Sequence, residues 1–407
     1  MNRMLRFFAL VFVFALAQPA FAADAKDSLR SQVGKPLQAA QALMKDKKYK
    51  EALGKIGEAD AVANKTPYES FVVEQMRGSA AAGAGDLDTA AKSFDVVISA
   101  NRLPAADAQK IMQSLAGSFY GKKEYGKAIT WAQRYQKAGG TDPNMSLLIT
   151  QSYYLAGDYA TAAKSMLEHI NEAEKAGRAP TEEQLQLLAN CYLKQNDAAG
   201  YTATLEKIVA HYPKKEYWAD LLARVQRKPG FSDRLSLDVY RLMLLTGNLK
   251  SAGEYIEMAE LALQAGYPKE AQGVLDQGYA AKILGSGSDA ARQQRLKTMA
   301  DKQAAEDQKT LAADVQAKDA DALVNNGYNL VVNGKADKGL AMMQQGIAKG
   351  GLKRPDEAKL HLGEAYLVAG RNDDAVKTLR TVQGRDGSAD LARLYSLVAQ
   401  SKAGKPG

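Results

Sequence analysis

The side chains best suited to catalysis or metal binding are few in this sequence and widely separated. The three histidines, His169, His211 and His361, show no H-E-x-x-H-like pattern that would place two metal ligands on one helix face. Cys191 is the only cysteine, so no internal disulfide can form, and its apolar neighbours are typical of a buried, unreactive thiol. No metal site and no nucleophile are predicted from these residues.

Two other patterns resemble reactive sites but fit a structural role better. The Gly-Ser-Gly-Ser segment at 285–288 precedes a helical stretch, as phosphate loops do, yet no strand comes before it and the P-loop lysine is missing. A flexible linker is the better interpretation. Paired carboxylates such as Asp373 and Asp374 stand where a helix should begin, and there they offset the helix dipole. We therefore expect no enzyme activity, no cofactor and no small-molecule substrate.

Small residues recur where pairs of helices would have to touch. One small residue follows each Gly-Asp-Leu-like turn, and another lies seven positions before the turn. Successive turns in the first part of the chain are 34 to 38 residues apart. Two helix axes approach to about 8–10 Å only where side chains are small, and Phe94, Met343 and Leu379 are expected to fill the space around such contacts. The anchors after the turn are Ala52, Ala90, Ala128, Ala162, Ala252, Ala271, Gly339 and Ala375; those before it include Ala40, Gly78, Ala116, Ala189, Gly327 and Gly363.

The last repeat is the most regular. Residues 362–366 read Leu-Gly-Glu-Ala-Tyr, an L-G-x-x-Y pattern, and Ala375 with Leu379 has the A-x-x-x-F spacing with Leu in place of Phe. With a period of about 34 residues that contains two helices, the chain resembles bacterial tetratricopeptide repeat (TPR) proteins over most of 35–400. The resemblance implies an all-α solenoid of helix-turn-helix repeats with a C-terminal capping helix. It also implies a role in binding proteins, although this fold serves many functions.

The repeat pattern is interrupted in the second half. Turns at Gly247 and Gly266 predict three successive helices at 235–246, 249–264 and 268–283, and the charged stretch 289–318 fits either a degenerate repeat or one long helix. The predicted organisation is a signal peptide at 1–22, an N-terminal TPR array at 23–215, an irregular TPR-like segment at 216–286, a charged helical segment at 287–318, and a C-terminal TPR pair with its capping helix at 319–407.

The first residues predict export. Arg3 and Arg6 precede an apolar run at 7–17, and Ala20-Phe21-Ala22 has the small residues of a cleavage site, so cleavage is expected after Ala22. The apolar run is too short to span a bilayer, which takes about 20 residues. A periplasmic protein without a membrane span is expected. Its net charge of +8 falls to +6 without the leader and is spread along the chain, which argues against nucleic-acid binding.

The resemblance also points to partner-binding residues. In TPR arrays the first helix of each repeat lines the concave face, and its exposed positions here carry amide and tyrosine side chains that can hold an extended peptide. In the last two repeats these positions, which include Tyr328, Leu360 and Glu364, predict an apolar and acidic surface. We expect a protein scaffold or adaptor, or else an accessory subunit of an envelope machine that uses the convex face or the 289–318 helix. The candidate groove residues are Gln75, Ser79, Lys110, Gln113, Tyr120, Asn144, Gln151, Tyr154, Gln186, Asn190 and Lys194.

Overall fold

The computed structural model describes residues 27–312 and 319–404, and the predicted signal peptide lies outside them. The described residues are mostly helical and contain no strand, which confirms the all-α prediction. A 3₁₀ turn at Asp233–Leu235 leads into α12. The helices are α1 Ser31–Lys45, α2 Tyr49–Asp60, α3 Pro67–Ala84, α4 Leu87–Ser99, α5 Ala105–Gly121, α6 Tyr125–Lys137, α7 Pro143–Leu155, α8 Tyr159–Lys175, α9 Glu182–Lys194, α10 Ala198–His211, α11 Lys215–Gln226, α12 Ser236–Leu245, α13 Ala252–Gln264, α14 Pro268–Ala280, α15 Ala290–Ala312, α16 Ala320–Val332, α17 Ala336–Lys349, α18 Pro355–Val368, α19 Asn372–Leu379 and α20 Ser388–Lys402.

The chain forms two compact units, which divide between His169 and Ile170. This division coincides with none of the predicted segment boundaries. Those boundaries remain predictions. In the first unit, successive helices joined by short turns pack in pairs; α1 also contacts α3, and α5 contacts α7. Its core contains the fully buried side chains of Ile56, Phe94, Ile111, Phe119 and Met166.

The predicted small anchors lie at the helix contacts. Gly78 faces the ring of Phe94, where an added Cβ would lie 3.0 Å from ring carbons. Gly327 and Gly339 pack backbone against backbone between α16 and α17, so a Cβ on Gly327 would lie 2.7 Å from the Gly339 carbonyl oxygen. Met343 also packs against Gly327. The steric reason given for the repeat is therefore confirmed at these contacts.

The turn after the first helix of a repeat needs one residue with positive φ. Glycine supplies it in most repeats, for example Gly85 at φ 79° and Gly157 at φ 86°. In the turns that lack glycine, Lys47 (φ 60°) and Lys123 (φ 64°) adopt the same left-handed conformation. This conformation costs a residue with a Cβ about 1 kcal/mol or more. The turn geometry is therefore kept even where the sequence does not favour it.

The second unit contains the three successive helices α12, α13 and α14 that the two close turns predicted. The charged stretch is one helix, α15, as far as Ala312, and it packs on α14 through a 2.8 Å hydrogen bond from Gln272 to Asp301. The predicted capping helix is α20, which packs on α18 and α19 and also contacts α10 and α12. Within the described ranges, no helix has both the length and the apolar character needed to cross a bilayer.

Candidate functional site

The predicted groove residues of the first unit lie on α3, α5 and α7, the first helices of three consecutive repeats. Gln75 and Ser79 are half-buried on α3, and the Ser79 hydroxyl donates to the Gln75 carbonyl oxygen at 3.0 Å within the same helix. Lys110 is exposed on α5 and pairs with Asp107 at 3.1 Å. Asn144 is exposed in the first turn of α7. This face therefore combines half-buried and freely accessible polar side chains.

Two hydrogen bonds join α5 to α7 across this face. Gln113 Nε2 donates to Asp142 Oδ2 at 2.5 Å, and the Tyr120 hydroxyl donates to Gln151 Oε1 at 3.2 Å. Asp142 is also the N-cap of α7, where it accepts the Asn144 backbone N–H at 2.9 Å. Four of the predicted residues are thus brought together. They form one amide and tyrosine strip, which we name the α5–α7 strip.

Tyrosine pairs repeat along the α5–α7 strip. Tyr120 stacks edge-on against Tyr125 with ring centroids 5.8 Å apart, and Tyr154 stacks in the same way against Tyr159 at 5.4 Å. Each pair joins the end of one helix to the start of the next, so equivalent rings recur at the repeat spacing. Burial raises the pKa of Tyr120, which stays a neutral hydrogen-bond donor at physiological pH. The rings offer flat apolar area with a polar tip.

The predicted residues of the second unit lie on α9. Gln186 Nε2 donates to the Tyr217 hydroxyl of α11 at 2.5 Å, while Asn190 and Lys194 are exposed. Glu182 accepts from Lys214 at 2.7 Å, and this contact with Lys214 lowers the pKa of Glu182. The first helices of these repeats are therefore also bridged by polar side chains, here with an acidic component.

The corresponding surface of the last two repeats is open only in part. Tyr328, Leu360, Glu364 and Leu367 are buried, so the prediction that they face a partner was wrong. The other predicted positions, Asp321, Val324 and Glu357, line a cleft. Helix α12, which comes from a distant part of the chain, packs against this face. The hydrogen bonds and ion pairs of α12 reach His361 and also Glu364, whose equivalents Ser79 and Asn190 are half-buried and exposed.

Arg241 of α12 is the centre of a buried ionic cluster. Its Nε and Nη2 donate to the two carboxylate oxygens of Glu270 at 2.7 and 2.8 Å, while Nη1 donates to Asp238 at 2.8 Å and to Glu364 at 3.0 Å. The guanidinium also lies over the Tyr328 ring, 4.5 Å from its centroid. All three nitrogen atoms of this side chain are therefore used, in the fork geometry that only arginine provides.

His361 extends this cluster towards solvent. Its Nε2 lies 3.1 Å from Asp238 Oδ1, and although burial opposes the charged form, the Asp238 carboxylate raises the pKa of His361 to about 9. Burial, together with the charge of Asp238, raises the pKa of Glu364 to about 8. Glu364 Oε1 has no hydrogen-bond partner. At neutral pH the cluster thus balances the cations Arg241 and His361 against Asp238 and Glu270, with Glu364 largely neutral.

Asp238, His361 and Glu364 lie close enough together to be considered as metal ligands, with their ligand atoms within 4.8 Å of one another. The fit is poor because Arg241 Nη1 already donates to both carboxylates. A bound cation would stand against this guanidinium, and the repulsion would be strong in a buried site. The built-in arginine therefore takes the place that a metal ion would occupy.

Only a weak indication of this cluster can be found in the sequence. Asp238 and His361 are 123 residues apart, so no local spacing reports their contact. One available signal was an acid and an arginine one turn apart on the otherwise apolar α12. Burial is also confirmed for Cys191, which is fully buried and whose thiol pKa burial raises to about 11. Both features describe the interior of the second unit and not a reactive surface.

A cleft of about 260 Å³ opens beside the cluster. His361 is the point where the cleft meets the buried charges. Around it, carboxylates of α16 and α18 face two basic residues from the loop between α17 and α18, so the lining is polar and of mixed charge. The lining residues are Asp321, Val324, Asn325, Lys353, Arg354, Glu357, Ala358 and His361.

Comparisons with known proteins identify the repeats. A tetratricopeptide repeat family model matches residues 76–143 and 324–390, and a second one matches residues 185–215. No curated protein matches the chain. These matches include parts of both compact units.

Several solved TPR structures are similar to the chain. The TPR2AB domain of yeast Sti1, solved as a complex with pHSP90, is 15% identical over 72% of this chain and 100% of its own, with a TM-score of 0.24. The C-terminal part of a TPR protein from Cytophaga hutchinsonii is 16% identical over 63% and 98%, with a TM-score of 0.29. The P58(IPK) TPR domain is 14% identical over 91% and 98%, with a TM-score of 0.22. These scores are too low for any of them to guide the placement of the repeats.

Proposed function

We propose that this tetratricopeptide repeat protein is a non-catalytic scaffold that is exported to the periplasm and holds a segment of another protein on the α5–α7 strip. The observation that carries the proposal is the pair of hydrogen bonds, Gln113 to Asp142 and Tyr120 to Gln151, that joins neighbouring repeats into one surface. The exposed residues of α9 are proposed as a second contact area. Export is supported by the leader-like residues 1–22.

The chemistry of the strip favours an extended and largely uncharged segment. Amide side chains can both donate and accept hydrogen bonds, as a peptide backbone requires. Within the strip, Gln113 donates to the Asp142 carboxylate and Gln151 accepts from the Tyr120 hydroxyl. Tyrosine rings bury apolar or proline side chains at little entropic cost because they have few rotatable bonds. Lys110 and Asn144 at the margin add polar contacts without a strong net charge.

The side chains of the strip do not form the arrangement that catalysis requires. A nucleophile needs a general base within hydrogen-bond distance, and the base needs a residue that orients it. Tyr120 and Gln151 provide neither. In the second unit, the hydrogen bonds of Asp238, Arg241, His361 and Glu364 connect helices to one another. A binding role is the function that these contacts support.

The test uses substitutions that change the surface but keep the fold. Gln113→Lys retains a donor for Asp142, and Gln151→Lys adds a charge beside Tyr120. The matched control is Gln133→Lys on α6, another half-buried glutamine with one hydrogen bond, to Tyr153 at 3.3 Å. Partners of the wild-type protein are captured from the envelope fraction by crosslinking and identified by mass spectrometry.

The expected result is that both strip variants lose captured partner by about tenfold, or ~1.4 kcal/mol of binding free energy, while their melting temperatures stay close to that of the wild type. The control should capture normally. Unchanged capture by both strip variants would refute the assignment of the strip. Export is tested separately: the periplasmic extract should contain a chain that begins at Ala23.

A second candidate function is favoured by α15. This helix is 23 residues long and highly charged, yet it exposes the apolar Met299. An accessory subunit of an envelope machine could use this helix as its contact. Met299→Glu should then disrupt assembly with the machine while the Gln113→Lys variant assembles normally, and the opposite pattern would favour the scaffold.

A further inference from the structure

Helix α12 packs on the C-terminal repeat pair (α16–α19) and its capping helix α20 in the way that a bound ligand would. Asp238 contacts His361 of α18 at 3.1 Å, and Arg241 contacts Glu364 of α18 at 3.0 Å. The hydroxyl of Tyr395 in α20 donates to the Asp238 backbone carbonyl at 2.6 Å. The backbone of α12 is therefore bound as well as its side chains. We name this contact surface the α12 seat.

The segment before α12 is also fastened to this end of the unit. The Ser232 N–H donates to the Asp386 carbonyl oxygen at 2.8 Å, and Lys228 pairs with Asp390 at 2.8 Å. Phe231 packs against Gly387, where a Cβ would lie 2.6 Å from a ring carbon. The contacts therefore form a continuous interface from Lys228 to Arg241, between segments more than 120 residues apart.

We propose that the C-terminal repeat pair is a helix-binding site that the chain keeps closed with its own α12, and that a partner helix bearing an Asp-x-x-Arg motif displaces it. The incoming aspartate would pair with His361 and its arginine with Glu364 and Glu270, as Asp238 and Arg241 do. The proposal concerns the second unit alone and does not depend on the α5–α7 strip.

The energetics of the α12 seat favour exchange over permanent burial. Buried ion pairs fix register and partner choice but add little net stability, because desolvation offsets their attraction. Glu364 Oε1 has no hydrogen-bond partner, so the closed state carries an unsatisfied polar atom. An incoming helix that supplies the same acid and arginine would lose none of these contacts. Replacement of α12 is therefore near neutral at the seat.

The chain around α12 is suited to movement. Helix α12 has only ten residues, and isolated helices shorter than about 12–15 residues are marginal in water. Glycines with positive φ stand on both sides, Gly230 at 85° and Gly247 at 69°, so the flanking turns rest on residues that change conformation at low cost.

The mixed charge of the α12 seat defines the kind of partner. Glu270 and Glu364 require an arginine on the partner helix. His361 requires a carboxylate three residues before that arginine, on the same face of the partner helix. The ring centroids of Tyr267 and Tyr328 lie 4.9 Å apart, and the guanidinium lies over both rings. This arrangement favours arginine over lysine. We assign the seat to a helix of another protein; exchange of α12 with a second copy is the competing outcome.

The test titrates a fluorescent peptide of residues 232–246 into the full exported chain. An opened chain carries Asp238→Ala with Arg241→Ala, which weakens the resident helix and changes no side chain of the seat; its fold is checked by circular dichroism. We expect the peptide to bind this chain at least about tenfold more tightly than the wild type. A peptide with the same two alanine substitutions should not bind, and His361→Ala added to the opened chain should abolish binding. Gln113→Lys should have no effect, which separates this result from the strip.

A second measurement needs no substitution in the chain. Excess native peptide should speed hydrogen exchange of the wild-type amides at 236–245, while those of α16 and α17 stay protected. Equal binding to the wild-type and opened chains, or no binding to an opened chain that keeps its helical circular dichroism, would overturn the proposal. So would conversion of the opened chain to a dimer, since the occupant would then be a second copy.

Discussion

Removal of the Arg241 guanidinium should destabilise the second unit strongly. In Arg241→Met, a side chain of similar length keeps the packing but leaves Asp238, Glu270 and Glu364 without their shared cation. Loss of one partner from a buried pair costs about 3–5 kcal/mol. Glu364 is largely protonated near neutrality because its pKa is raised to about 8, and Asp238 keeps His361. Glu270 is therefore the main carboxylate left without a partner, and we expect a destabilisation at the lower end of this range, about 3 kcal/mol.

The assay is hydrogen exchange with mass spectrometry, because it reports each unit separately. Amides of α12 and α18 should exchange faster by roughly 150-fold, which corresponds to about 3 kcal/mol, while those of α3 and α5 should not change. The control is Arg134→Met, which removes a partly exposed guanidinium that pairs with Asp95 and stacks on Trp131 at 4.1 Å. Such surface contacts contribute about 1 kcal/mol or less. If the exchange rates rose equally little in both variants, the conclusion that the cluster holds α12 in place would be refuted.

Three other predictions concern pH and backbone geometry. Folding raises the pKa of His361 from 6.5 to about 9 and that of Glu364 from 4.5 to about 8, so both groups favour the protonated state and the second unit should lose stability as pH rises. Protonated His361 should add on the order of 3 kcal/mol to the free energy of unfolding below pH 6.5, and this contribution should be lost as the pH rises to 9. In urea unfolding, Glu364→Gln should make the fall of stability with pH less steep up to pH 8. Lys47→Gly and Lys123→Gly should each raise the free energy of unfolding of the first unit by about 1 kcal/mol, whereas Lys→Arg at the same positions should not. Gly327→Ala should lower the melting temperature by several degrees because its Cβ would meet the backbone of α17, whereas Gly273→Ala, which has open space, should raise it slightly.

Much of the repeat architecture could be predicted because its determinants are local. Gly78 and Phe94 are separated by one helical hairpin, and the steric need for a small residue opposite a large one leaves a periodic trace. The same holds for the α5–α7 strip, because the repeat period places Gln113 and Gln151 on the first helices of neighbouring repeats. Whether the strip binds a partner depends on chemistry outside this chain, and the sequence carries no periodic signal for that.

The burial of Tyr328 and Glu364 could not be predicted in this way. Ser79 and Asn190 occupy the same position within their repeats and are half-buried and exposed. The local pattern therefore predicts the same exposure for Tyr328 and Glu364. The difference is made by α12, which contacts them from 123 residues away in sequence. A long-range contact of this kind is set by the path of the chain between the two segments, and no spacing within either segment records it.

The closure of the second unit limits how the protein can evolve. An array of repeats that touch only their neighbours can gain or lose a repeat by duplication, because each new unit meets the same surface. Insertion of a repeat between α12 and α18 would instead separate Asp238 from His361 and Arg241 from Glu364, and leave their charges buried and unpaired. We expect natural variation in repeat number among relatives to be confined to the first unit, where the long-range pair among the described residues, Asp27 with Arg102, is exposed and not buried.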